Sequence, residues 1–142
     1  MKQTVKSALK DFYRANYFGE EAFTAKWAHI KIGPFSLPFP NPAPRREAVH
    51  LHDISHLVIG YDTSWAGEGE LAAWELASGF GPHWIGYFYA PFTFSVGLAV
   101  APRRVARAMK RGCGSANPYK LGLSRKEIEA MMVDELKAEL KL

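Results

Sequence analysis

The spacing of hydrophobic positions divides this chain into helices. Val5, Ala8, Leu9 and Phe12 recur every three or four residues and predict a helix over 3–17. After Gly19, a second short helix is expected over 20–28. The segment 34–44 holds Pro34, Pro38, Pro40, Pro42 and Pro44, which remove backbone donors and restrict their predecessors, so it reads as an extended loop. Asn41 can cap the next helix, with Pro42 at its first position and Gly60 at its C-terminal end, which places it over 43–59. Tyr61 and Asp62 form a turn; Thr63 or Ser64 starts a helix that runs to Ser78 and stops at Gly79. Two shorter helical pieces are expected next, separated at Pro91, and Pro102 opens another that ends at Gly112. Ser124 and Glu127 make a capping box for one final helix, with Ile128, Met131, Met132, Leu136 and Leu140 along one side and both methionines as core filler. No run alternates at period two for long enough to demand a sheet. The pattern therefore predicts an all-α fold: one small helical domain over 1–142, with 43–59 and 63–78 as an antiparallel hairpin.

One stretch complicates this picture. Between Leu76 and Pro102 there is no acid, lysine or arginine, and only His83 can carry charge. A bilayer span needs about 20 apolar residues, and a basic cluster follows at once, as a cytoplasmic flank would. Gly79, Gly81, Pro82, Gly86, Pro91 and Gly97 divide the stretch, which favours a greasy core or lipid-lined cavity over a spanning helix. Trp84, Tyr87, Phe88, Tyr89, Phe92 and Phe94 each read as ordinary core. Together they exceed what a domain this size needs, and a lipid cavity or a homodimer interface would use the surplus.

Composition narrows the class. Apolar residues make up 48% of the chain, enough for a real core and too many for a disordered chain. A lone cysteine, Cys113, excludes an internal disulfide framework and is consistent with a reducing compartment. Much of the +4 net charge comes from Arg103, Arg104, Arg107, Lys110 and Arg111. That cluster suits phosphate groups or acidic lipid headgroups, and equally a solvated helix face. No nucleic-acid recognition module is visible. The first eighteen residues lack an uninterrupted apolar core and carry Asp11, so they read as mature protein and not as a secretory signal or transit peptide.

The chemistry concentrates in the hairpin. His52 and His56 are four apart, and Asp53 lies three before His56, so all three project within about 100° of one helix. Two imidazoles and a carboxylate suit zinc, and also iron, manganese or magnesium in an expanded sphere. Glu68, in the second turn of the returning helix, stands at a similar height to His56 and can close the site. Glu75 lies two turns further along that face as an outer group against the ligands. His50 points about 120° away from His56, as a surface residue or one behind the ligands, and His29 and His83 default to structural roles. Zincin proteases place glutamate where Asp53 stands, the metallo-β-lactamase signature fails at Ile54, and Cys113 has no histidine nearby. No nucleophile elbow or phosphate loop is present.

His52-Asp53-Ile54-Ser55-His56, then eleven residues, then Glu68 resembles the metal motif of the Coq-four family of ubiquinone (coenzyme Q) biosynthesis proteins. Gly60, Thr63 and Gly67 also fall where that family commonly has Gly, Thr and Gly. The likeness covers roughly 48–78, with a weaker one over 135–142. It implies an all-helical fold, zinc on His52, Asp53, His56 and Glu68, and work on a prenylated quinone precursor at a membrane surface. That work is oxidative removal of the ring carboxylate, a decarboxylase or hydroxylase activity, or organisation of other quinone-biosynthesis proteins into a complex. The implied location is cytoplasmic, peripheral to the inner face of the membrane. On this reading the prenyl tail lies along 80–101 and Arg103, Arg104 or Arg107 holds an anionic headgroup. A non-catalytic lipid-binding or scaffold protein with a structural metal is the alternative.

Overall fold

Thr4 turns the chain into the first helix, α1 (Val5–Ala15), by accepting a hydrogen bond from the Ser7 amide. The structure is a computed structural model and describes residues 3–16, 25–32 and 34–142. Its architecture is all-α apart from one two-stranded hairpin.

That hairpin is a departure from the sequence reading. β1 (Trp27–Ile32) pairs antiparallel with β2 (Phe35–Pro40), Trp27 opposite Pro40 and Ile32 opposite Phe35. The helix expected over 20–28 lies mostly outside the described residues, and at its end Trp27 and Ala28 are strand. The proline-rich segment is strand because each strand of a two-stranded ribbon is an edge, where a missing donor can face outward. Phe35, Leu37 and Phe39 do alternate with Ser36, Pro38 and Pro40, a period-two signal that the prolines hid.

The next two helices carry the histidines and glutamates. In α2 (Ala43–Ile59) Pro42 takes the capping position without a side-chain bond, while the Asn41 amide donates to the Ala25 carbonyl at 3.0 Å instead of capping. Gly60, at φ +83°, ends α2 in the left-handed region, and its amide donates to the His56 carbonyl. Ser64 caps α3 (Trp65–Ser78) through a bond from the Gly67 amide. Ile54, Leu71, Trp74 and Phe80 are fully buried between these helices and their neighbours.

α4 (Trp84–Val100) is one continuous helix with Pro91 inside it, not two pieces. An interior proline costs about 3 kcal/mol, so tertiary packing must hold the helix together. The packing is close: α4 lies against α3 where Gly69 meets Gly97, and a Cβ on either glycine would overlap the other's Cα. α5 (Pro102–Gly112) packs on α3 as well. The buried side of α4 consists of Ile85, Gly86, Ala90 and Gly97, and its aromatics point elsewhere. Trp84, Phe88 and Phe92 are 66%, 72% and 67% exposed, Tyr87 and Tyr89 are also exposed, and only Phe94 is half-buried. The core reading is therefore overturned for all of these aromatics but Phe94, which packs against the core: with small residues spent on the contact with α3, the other large ones are left outside. Among the described residues no helix is long and apolar enough to cross a membrane.

A short 3-10 turn (Pro118–Lys120) leads to the C-terminal helices. The capping box of Ser124 and Glu127 is present, but the expected single helix is two, α6 (Arg125–Ala130) and α7 (Val133–Glu139). Met131 and Met132 are extended between them because they pair with the N-terminal segment. Val5 donates to the Met131 carbonyl at 2.9 Å, and Val133 donates to the Gln3 carbonyl at 3.0 Å. A nonlocal bridge of this kind leaves no trace in helical periodicity.

Candidate metal centre

α2 and α3 run antiparallel, and long polar side chains fill the space between them. The two oxygens of Glu68 face two imidazoles: Oε1 lies 3.2 Å from His56 Nε2, and Oε2 lies 3.2 Å from His52 Nε2. One ligand atom from each of His52, His56 and Glu68 falls within 4.8 Å of the others. The imidazole rings are 4.8 Å apart and nearly perpendicular.

The far side of each ring is fixed too. His56 Nδ1 donates to the Tyr61 carbonyl at 2.9 Å, at the turn that Gly60 makes. His52 Nδ1 faces both oxygens of the buried Glu75 carboxylate at 3.1 Å. A neutral imidazole has one N–H: in His56 the Tyr61 carbonyl, which can only accept, takes it, whereas His52 stands between the Glu75 and Glu68 carboxylates, either of which can accept it. When both rings are neutral with the N–H on Nδ1, each Nε2 presents a lone pair to a Glu68 oxygen, which is repulsive unless a proton or a cation lies between. Carboxylate or carbonyl, then histidine, then a shared centre is the arrangement that orients metal-bound imidazoles.

The protonation equilibria show the same tension. Burial opposes charge on His52, but Glu75 and Glu68 outweigh it and hold its pKa well above the ordinary value. Burial also pushes Glu68 up, yet hydrogen bonds from His52 and His56 bring it far below the usual carboxylate range.

The other expected residues sit as follows. Asp53 is buried on α2 but lies outside the three-residue cluster, facing Tyr13 of α1. Burial raises its carboxyl to about 6, against the opposing pull of His52 and His56. Glu75 takes the outer position behind His52. His50 is buried, not at the surface, with Nε2 3.4 Å from Glu129 of α6; burial first, then the charge of Arg125, lowers its pKa to about 4. Arg104 is tied to Glu70 at 2.5 Å and to Asp62 at 3.5 Å. Arg103 and Arg107 are exposed, and none of the three lines the cavity beside His52. His29 is exposed on β1, and His83 stands at the start of α4 with its ring against Tyr119.

That cavity, about 180 Å³, opens between α2, α3 and α4. His52, Glu68 and Glu75 are among its polar lining; Ala48, Ile85 and Ala90 are among its apolar walls. Two further residues were not visible in sequence. Tyr119 lies in the wall and donates to the Ala48 carbonyl at 2.9 Å; burial and then the nearby Glu75 charge keep its hydroxyl protonated. It comes from the 3-10 turn, 71 positions from its partner, and no local pattern could place it. Arg45 stands in the first turn of α2 and also lines the cavity. On the α1 side, the Phe12 ring stacks on His56 with centroids 5.8 Å apart.

Fold and site together define a small all-α domain with a His-His-Glu cluster beside a ring-sized cavity. No family model matches the chain, and neither does any curated protein or solved structure.

Proposed function

We propose that the protein holds one divalent cation, zinc, on His52, His56 and Glu68, and binds a prenylated aromatic acid in the adjacent cavity. The observation that carries this reading is the opposition of two Nε2 atoms to one carboxylate while both Nδ1 atoms are already engaged. A cation resolves both repulsions at once, and the donor set suits zinc, with iron, manganese or magnesium as alternatives. When bound, it would supply Lewis-acid polarisation of a ligand oxygen. Glu75 and the Tyr61 carbonyl hold the rings in the required tautomer, and Phe12 covers His56 against water.

Three protein ligands are the number that catalytic zinc sites use, whereas structural sites normally take four. This favours a chemical role, oxidative removal of a ring carboxylate in prenylquinone biosynthesis, over a purely structural metal. The exposed aromatic side of α4, followed in the chain by the basic α5, supports work at an anionic membrane surface, with the prenyl tail leaving along α4. This is the reading that the resemblance to the Coq-four proteins suggests.

Elemental analysis of the purified protein beside His56→Ala tests it. About one equivalent of zinc, lost in the variant, is expected; extraction of bound lipid and trials with prenylated hydroxybenzoates would follow. A wild type that takes up no metal even after zinc is added would end the proposal.

A further inference from the structure

Arg45 is unusual among the residues around this cavity. Glu68 and Glu75, the carboxylates that line it, match one dication in charge and leave the guanidinium over. Among the described residues no carboxylate lies within ion-pair distance of Arg45. Its Nη1 donates to Asn41 Oδ1 at 2.7 Å, and Asn41, itself buried, is anchored on the Ala25 carbonyl. Its Nε is buried with no acceptor. The guanidinium lies over the Phe39 ring at 4.5 Å and near the Tyr89 ring at 5.6 Å. A braced, stacked cation on the cavity wall, with no carboxylate partner among the described residues, suits a planar oxyanion, which a guanidinium binds through its fixed N–H fork.

The space beside it selects the rest of the ligand. An apolar cavity of about 150 Å³ accommodates benzene, so a cavity of about 180 Å³ takes one substituted ring. Ala48, Ile85 and Ala90 present apolar surface to such a ring. We infer that Arg45 is the anion-reading residue of this cavity, holding the carboxylate of a ring-bearing acid and leaving the opposite edge of the ring toward His52 and Glu68. This rests on reading the cavity as a site for an aromatic acid. It moves the anion contact away from α5, where Arg104 is already paired, and away from the metal.

The test uses 3-butylbenzoate and 3-butylbenzamide, equal in shape and different in charge, titrated into the zinc-treated full chain and followed by ligand-detected NMR. The wild type is expected to bind the benzoate at least tenfold more tightly. Arg45→Gln should erase that preference with zinc content and circular dichroism unchanged, and Arg45→Lys should keep part of it. The wild-type comparison needs no variant, so a folding defect in either variant leaves it standing. No preference in the wild type overturns the inference. A preference that survives Arg45→Gln but disappears on chelation places the anion on the metal, which overturns the role of Arg45 and leaves the metal reading intact. A preference that depends on Arg45 in a protein that takes up no zinc supports the inference while the metal reading fails.

Discussion

Between α2 and α3 the protein encloses two imidazoles and two carboxylates; along the outer side of α4 it leaves Trp84, Phe88 and Phe92 in solvent. The two regions depart from ordinary burial in opposite directions. In the first, polar groups are taken from water and set lone pair against lone pair, which is costly unless something charged joins them. In the second, large apolar surface is given to water, which monomeric proteins rarely do over a contiguous area. The same helices connect them, because the glycine contact that draws α4 onto α3 also turns the α4 aromatics outward. On the proposed reading each region has its partner outside the chain: a small cation for one, an apolar surface for the other.

The largest effect should come from supplying the first partner. Zinc at a thousand times its dissociation constant stabilises by about 4 kcal/mol if only the folded state binds it. Urea unfolding with zinc and with chelator should show that difference in the wild type and none in His56→Ala. Equal midpoints in the wild type would remove the cation from the comparison.

The contact that joins the two regions is next. Gly97→Val must push α3 and α4 apart and should lower stability by about 1–3 kcal/mol, the usual range for overpacking. Thermal unfolding that matches wild type would mean that the glycine contact is not what orients α4.

Protonation sharpens the polar side. In the metal-free protein the raised pKa of His52 contributes stability that is complete below its unfolded value, about 6.5, and is lost as pH rises through the folded value. Glu68, with a depressed pKa, contributes above its unfolded value near 4.5 and loses it as pH falls through the folded one. Asp53 opposes both: raised from 3.8 to about 6, it favours folding only while protonated. Asp53→Asn should therefore stabilise the metal-free protein at pH 7 by up to about 3 kcal/mol, less the lost contact with Tyr13, and do nothing at pH 3. The variant should also keep most of its zinc. Loss as complete as in His56→Ala would put Asp53 back among the ligands.

The smallest change in stability belongs to the apolar side. Phe88→Ser and Phe92→Ser should alter unfolding by less than about 0.5 kcal/mol, as exposed substitutions do. Cosedimentation with vesicles of anionic lipid should nevertheless fall severalfold. Unchanged sedimentation would detach the α4 face from membranes.

The sequence made these regions legible to different degrees. Local rules sufficed for α2, Gly60 and α3, since four-residue spacing places His52 and His56 on one face wherever the helix goes. Asp53 was harder: an arc of about 100° is wide enough that one edge can face α1 and Tyr13 instead of α3. The prolines of β2 masked its alternation, and the break at Met131 and Met132 depends on a strand-like segment at the other end of the described chain. The α4 aromatics were misread because hydrophobicity reports what a side chain would gain by burial, not whether a glycine-lined contact leaves room for it.

The bridge between Thr4 and Met132 also has a consequence in time. During synthesis the α2–α3 hairpin is complete some fifty residues before Val133 is made, and at 5–20 residues per second that interval lasts several seconds. α1 cannot settle into its bridged position until then, so Phe12 and Tyr13 close over His56 and Asp53 last. The nascent chain thus exposes its histidines on one side while it is still on the ribosome, and the order of synthesis itself would give the proposed metal ion a way in before the last wall is set.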